Sequence, residues 1–409
     1  MAKRRRGQTR GPGGHAIRAL SHRALPALRE FLADEAAGGV LLLVAAVAAL
    51  IWANSAGAGS YVSLWEHHLT LGTGSWAVDE PVTGWVNDGL MAVFFFVVGL
   101  EIKRELAIGE LSSPRAAITP ALAALGGVLV PAGIYILIAG GGAGGHGWGV
   151  PMATDIAFAV GILTLLGRHV GSGAKLFLLS IAIVDDLIAI TVIAIFYSDG
   201  IKWAWIAIAV AGLLVVVAMR SVATSPWFYL LPSVLVWFAM LESGIHATVA
   251  GVLLGLLTPA GPIRGREVMD QLQSALHPIS AFVIVPVFAL ANAGVDLRGG
   301  VLSHSLGEKV TWAVAIGLVA GKLIGVAATT FLLLKLRIGT LPMNMVRAQI
   351  WPIAALCGIG FTVALFVSDL AFDDDGLADD AKVGIFIASF IAAAVGALLL
   401  RLTPDVEDT

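Results

Sequence analysis

The chain has 409 residues, 58% hydrophobic and 13% charged, with a net charge of −3. A soluble domain carries about 25% charged residues, whereas the mean hydropathy here is +0.90, which excludes a soluble enzyme, a disordered chain and a nucleic-acid module. The apolar runs are continuous rather than alternating, which excludes a transmembrane β-barrel, and the single cysteine, Cys357, excludes a disulfide framework or a cysteine-rich metal site.

Taken in chain order, residues 1–35 form a polar tail with Lys3, Arg4, Arg5, Arg6, Arg10, Arg18, Arg23 and Arg29. The apolar run that follows lacks a small-residue cleavage site and reads as a retained helix rather than a signal peptide. Window hydropathy predicts an all-α polytopic membrane domain over 36–403 with about twelve transmembrane helices of about 20 residues each. The spans fall near 36–53, 82–102, 117–139, 149–166, 174–197, 203–219, 226–241, 244–258, 277–293, 311–334, 349–368 and 382–400. Residues 404–409 form a short C-terminal tail.

Positive charge orients these spans. Of the 25 Lys and Arg residues, only Lys202, Arg298, Lys309 and Lys382 fall in segments on one side and Lys322 in mid-span; the rest lie on the side of the N-terminal tail. Cytoplasmic loops carry the Lys/Arg excess, so both termini are expected inside. The first outer loop, about 54–81, carries no Lys or Arg. Within it His68–Leu71 and Ser75–Val78 flank Gly72-Thr73-Gly74, a pattern that fits a small β-hairpin as well as it fits an irregular loop. The acidic segment 373–380 reads as a solvated loop rather than a cation-collecting vestibule.

Ionisable residues inside the bilayer cost about 2.5–3.5 kcal/mol each on insertion scales and mark pathways or relays by default. Asp88, Asp155, Asp185, Asp186 and Lys322 stand deep inside the spans, and Glu101 lies nearer the cytoplasmic boundary. At about 1.5 Å rise per residue, Asp155, Asp186 and Lys322 sit roughly 17–18 Å from the inner ends of their spans, close to the midplane of a core about 30 Å thick. Three spans thus place charge at one level. Asp185 and Asp186 are adjacent and point about 100° apart on a helix, so one is expected to face an ion cavity and the other a structural or proton-holding partner. Lys322 is too deep to snorkel and calls for a carboxylate partner.

Two spans are interrupted. The fourth has Gly149-Val150-Pro151 ahead of Thr154-Asp155; the eleventh has Pro352 followed by Gly358-Ile359-Gly360. They run in opposite directions, as the broken helices of an inverted-repeat transporter do; a pair of Pro-kinked helices is the plainer alternative. If they break, freed carbonyls become available to a cation, and Asp155 and Lys322 can balance the charges of the half-helix ends.

These residues resemble the NhaA-type sodium/proton antiporters. The matching stretches run from Asn87-Asp88-Gly89-Leu90-Met91 through Gly99-Leu100-Glu101-Ile102-Lys103-Arg104-Glu105, Ala153-Thr154-Asp155-Ile156-Ala157 and Asp185-Asp186-Leu187. They continue with His246-Ala247-Thr248, Leu276-His277-Pro278, Asn292-Ala293-Gly294, Gly321-Lys322 and Cys357-Gly358-Ile359-Gly360-Phe361-Thr362.

The resemblance implies discontinuous fourth and eleventh helices of inverted repeats crossing at mid-membrane, in a bacterial inner-membrane protein that exchanges internal Na⁺ or Li⁺ for external H⁺. It places Asp186 at the transported Na⁺ with Asp185 beside it, Lys322 as the partner of one carboxylate, and Asp155 and Thr154 at the crossing. Asp88 would line the approach from outside; Glu101, Glu105, His246 and His277 would fall in regions linked to pH response. The outer hairpin would form a homodimer contact. No cofactor, nucleotide or nucleic acid is implied, and no phosphate-binding Gly-rich loop is present. Relatives often carry Glu-His where this chain has Gln273 and Ser274, so the pH threshold does not carry over. An intramembrane aspartic protease is the enzyme alternative; it needs two acids sharing a proton across about 3 Å, and Gly358-Ile359-Gly360 is followed by Phe361 where such an enzyme would carry Asp. A channel, or a transporter of another substrate, are the remaining alternatives.

Overall fold

In lipid every backbone N–H and C=O must be satisfied within the protein, so long apolar runs fold as helices. The computed structural model describes residues 37–72, 74, 77–166, 171–198, 200–220, 227–262 and 267–403. The two tails and, within the expected hairpin, Thr73, Ser75 and Trp76 lie outside the described residues.

Six helices among these are long and apolar enough to cross a membrane: α3 (Val82–Ala107), α4 (Pro114–Ala139), α6 (Ser172–Phe196), α10 (Val268–Asn292), α11 (Lys309–Lys335) and α14 (Asp375–Leu402). Three bent pairs bring the number among the described residues to as many as nine, counting each pair as one span: α1 (Ala37–Ala53) with α2 (Ala58–Trp65), a 3₁₀ stretch Ala143–Met152 with α5 (Ile156–Leu166), and α12 (Arg347–Leu356) with α13 (Phe361–Ala371). Three shorter apolar helices, α7 (Trp203–Met219), α8 (Trp227–Ser243) and α9 (Ala247–Leu257), occupy the places of the sixth to eighth expected spans. They share a small apolar cluster of their own, including Val216, Val236, Met240 and Leu254, whereas the other helices meet in one continuous core around Phe95, Phe177, Phe288 and Phe366.

Three local details differ from expectation. The hairpin forms, but its second strand is β2 (Val78–Pro81), paired antiparallel with β1 (His68–Leu71) so that Leu71 faces Val78 and His68 faces Pro81. The connection is therefore longer than the Gly-Thr-Gly turn, and Gly72 and Gly74 both take positive φ within it. The loop before the hairpin holds α2, turned 115° from α1. The acidic segment is mostly helix rather than solvated loop: α14 starts at Asp375, and Asp374 Oδ1 accepts the Leu377 N–H at 3.0 Å. Carboxylates at a helix start are stabilised by its unpaired N–H groups and dipole, so an acidic run there extends a helix instead of ending one.

Candidate functional site

The two breaks lie against each other. Pro151 supplies no N–H to a helix, and Ala153 is extended, so the chain leaves helical geometry over 153–155 before α5 begins. In the other pair, 357–360 separates α12 from α13. A Cβ on Gly358 would sit 2.7 Å from the Leu318 carbonyl oxygen, and one on Gly360 2.8 Å from Leu318 Cδ2; only glycine lets this backbone pack so close to α11.

Hydrogen bonds join the breaks directly. The Asp155 N–H donates to the Ile359 carbonyl at 2.6 Å, and the Thr154 hydroxyl lies 2.9 Å from the Cys357 carbonyl. Asp155 Oδ1 accepts the Phe158 N–H at 2.9 Å; its Oδ2 accepts the Thr362 N–H at 3.0 Å and the Thr362 hydroxyl at 2.6 Å. One carboxylate therefore caps the first turns of both α5 and α13, satisfying their orphan N–H groups and opposing two positive helix ends.

The adjacent aspartates of α6 have different surroundings. Asp185 is fully buried and its Oδ2 receives the Lys322 ammonium; the same oxygen lies 2.7 Å from the Thr154 hydroxyl. Lys322 follows a π-helical turn, Gly317–Gly321, in α11. A Cβ on Gly321 would come within 2.7 Å of Pro131 Cα, so glycine brings α11 close to α4 immediately before the lysine. Asp186 is also buried, and its Oδ1, like Oδ1 of Asp185, has no hydrogen-bond partner among the described residues. Asp185, Glu101 and Asp155 are the acids nearest to it in electrostatic effect, and Lys322 is the cation.

A cavity reaches Asp186. It is lined by Asp155, Asp186 and Thr362 at its inner end and by Glu101 and His277 on the side away from the hairpin, and water-sized molecules can occupy about 50 Å³ of it. A water needs about 10–15 Å³ of such space, whereas organic ligands need pockets of about 300–1,000 Å³. The opening fits a few waters or a small ion.

Other sequence-selected residues lie apart from this cavity. Asp185, Thr154 and Lys322 are joined to one another through Asp185 Oδ2 and do not line the cavity. Asp88 belongs to a π-helical turn, Trp85–Leu90, near the hairpin end of α3, where its carbonyl accepts the Trp237 indole N–H at 2.7 Å; Glu80 and Asp369 are its charged neighbours. His246 Nε2 is 2.6 Å from the Tyr197 carbonyl, so that nitrogen carries a proton and donates. The Tyr197 hydroxyl donates to the His146 carbonyl at 2.8 Å and accepts the Gly149 N–H at 3.0 Å, which ties His246 to the 3₁₀ stretch. His277 Nε2 approaches Glu101 Oε1 at 4.0 Å. Glu105 lies one turn further along α3 and does not line the cavity. Gln273 is buried and accepts from Arg104 at 3.3 Å, a neutral acceptor for the guanidinium where a glutamate would make an ion pair.

Sequence reasoning missed Thr362, Tyr197 and Asp369. Thr362 is the first polar residue after Gly358-Ile359-Gly360, a position at which capping was open to inspection. Asp369 lay just beyond the expected span end at 368, although α13 continues to Ala371.

An apolar helical bundle with buried carboxylates at two touching helix breaks defines a multi-pass membrane protein built around an ion-sized site. The family profile described as Na⁺/H⁺ antiporter 1 matches residues 29–400, and the chain belongs to this family of transporters, which are not enzymes. Among its relatives, Na(+)/H(+) antiporter NhaA 3 of Frankia alni is 43% identical, with 96% of this chain and 91% of the relative covered. Na(+)/H(+) antiporter NhaA 2 of Pseudomonas putida is 44% identical, with 92% and 93% covered; the NhaA of Acidovorax sp. is 45% identical, with 94% of each chain covered.

Proposed function

We propose that this chain exports Na⁺, or Li⁺, in exchange for a larger number of H⁺, and that Asp186 is the group for which the two cations compete. The charge balance around it carries the reading. Asp155 is offset by two helix N-termini, each worth about half an elementary charge. Asp185 is offset by Lys322. The Asp186 carboxylate has no such counter-charge: it stands at the end of the cavity with a buried oxygen that has no hydrogen-bond partner among the described residues. Desolvation disfavours an uncompensated charge, so a monovalent cation or a proton completes the site. Na⁺ favours hard oxygen donors, which Asp186, Asp155 and Thr362 offer at the inner end of the cavity; Asp185 and Thr154 would join them by giving up their present hydrogen bonds. Binding of one cation expels the other, and alternating exposure to the two sides converts that competition into exchange.

The architecture that goes with this function is twelve transmembrane helices in inverted repeats, the broken pairs crossing at mid-membrane. The protein lies in the bacterial plasma membrane with both termini cytoplasmic and the hairpin outside, where it contacts a second copy. Lys322 and Asp185 hold the crossing; Asp88 lines the outer approach. Glu101, Glu105, His246 and His277 belong to the pH response. Two protons entering per Na⁺ would move one net charge, and 100 mV would add about 2.3 kcal/mol to each cycle. Together these activities maintain internal pH and sodium.

The test uses everted vesicles containing the full chain and a pH-sensing dye. NaCl or LiCl dissipates an imposed pH gradient, and K⁺ does little. No response to either cation between about pH 6 and 9 sinks the proposal. A potential-sensitive dye in the same vesicles reports the net charge moved.

A further inference from the structure

We infer that Asp369 and Phe366 of α13 close the hairpin side of the route to Asp186, Asp369 acting as a positioning residue for Asn87. The inference rests on the transport reading above. Three of the helices that line the cavity are α3 through Phe94 and Glu101, α10 through His277 and Ala281, and α13 through Thr362 and Val363. The same three helices are tied together at their hairpin-side ends. The Asn87 amide of α3 donates to Asp369 Oδ2 of α13 at 2.6 Å. Asn87 and Asn292 of α10 form a reciprocal amide pair at 2.8 and 3.3 Å, and Asn292 also donates to the Phe288 carbonyl of its own helix at 3.0 Å.

Between this polar layer and the cavity each helix contributes a phenylalanine. Phe366 meets Phe95 at a ring separation of 5.3 Å and Phe288 at 6.2 Å, and all three side chains are buried. Phe94, which lines the cavity, rests on Phe95 at 5.1 Å. The order is the same along every helix: Asn87, Phe95, Glu101 on α3; Asn292, Phe288, His277 on α10; Asp369, Phe366, Thr362 on α13. A polar clasp thus covers an aromatic plug, and the plug ends the cavity.

To expose Asp186 on the hairpin side, α13 must part from α3 and α10 at this end. The Asn87–Asp369 bond joins an ionisable acceptor to an amide, and hydrogen bonds to charged groups are about twice as strong as neutral ones. Asp369 therefore holds Asn87 against α13 and favours the state closed on the hairpin side. The phenylalanines exclude water while that state lasts.

The experiment measures sidedness rather than exchange. In a Cys357→Ser background, Val363→Cys places a thiol in the cavity on the far side of Phe366. Reconstituted into vesicles of known orientation, it is reacted with a membrane-impermeant methanethiosulfonate from either face. Adding Asp369→Ala or Phe366→Ala raises the rate from the hairpin face at least about tenfold, a shift in population toward the state open on that face. Asp369→Asn, which keeps an acceptor for Asn87, gives a smaller rise. Ala281→Cys on α10 provides a second reporter should the first not fold. Unchanged hairpin-face rates in both alanine variants, with monodisperse protein, overturn the inference. Because labelling needs no ion gradient, its failure is separable from failure of Na⁺/H⁺ exchange, measured in parallel.

Discussion

Two cation–carboxylate pairs in this protein have the same chemistry and opposite settings. Lys322 and Asp185 meet in the core beside the helix breaks, both fully buried. Arg298 and Asp296 meet in the loop between α10 and α11 at 2.7 Å, each about half exposed. In the loop the forked Arg298 guanidinium donates to both oxygens of Asp296 and holds its pKa down from 3.8 to about 2. Water is available to either partner if the other leaves. In the core no water replaces a lost partner, so the pair is obligatory while it lasts and expensive to break. Ion pairing is therefore not itself the design element; the absence of an alternative partner is. By that measure Asp186 is the extreme member of the series, a buried carboxylate whose alternative must come from outside the protein.

Substitutions that remove partners one at a time sharpen this contrast. Asp186→Asn has the largest effect: Na⁺-dependent dye dequenching falls to the vesicle background, and retention of wild-type exchange would refute its role. Lys322→Ala leaves Asp185 buried without its cation and lowers stability by about 3–5 kcal/mol, read as a drop in thermal midpoint in detergent. Adding Asp185→Leu to Lys322→Met recovers most of that loss, because neither charge then remains stranded; an equally unstable double variant would break the comparison. Asp155→Ala removes caps from α5 and α13 together and costs about 1–2 kcal/mol for each, with Thr362→Val costing about half as much as the pair. Arg298→Ala is the smallest, with no resolvable change in midpoint. The Asp296 carboxyl then titrates near its ordinary value. In the intact pair its lowered pKa adds stability above about pH 4 that is lost as pH falls through about 2; NMR titration of Asp296 in both chains checks the sign.

The site was legible where local chemistry decides it. Pro151 and Gly358-Ile359-Gly360 mark two breaks because Pro lacks a donor and Gly favours irregular backbone, and both breaks are present. Adjacent Asp185 and Asp186 cannot face one point, and the structure gives them separate surroundings. What was illegible depends on distant partners or on element ends. That Asp155 caps α13 is a contact across 207 residues. Hydropathy windows stop at charges, so the last two expected spans end at 368 and begin at 382, whereas α13 runs on past Asp369 to Ala371 and α14 begins at Asp375. The register of β2 depended on a longer connection than the Gly-Thr-Gly turn implied.

Asp155 has a mechanical consequence. A single carboxylate grips the beginnings of α5 and α13, and the Asp155 N–H and Thr154 hydroxyl reach back to the carbonyls of 357–360. Sliding one broken helix past the other would undo several bonds at once. The two breaks are therefore held together as one unit. The neighbours that can shift more cheaply are α3 and α10, joined to α13 through a three-residue polar clasp and a layer of aromatic rings. On the exchange proposed above, alternating exposure would be a swing of those helices about the joined breaks, with the ion site carried on the part that does not deform.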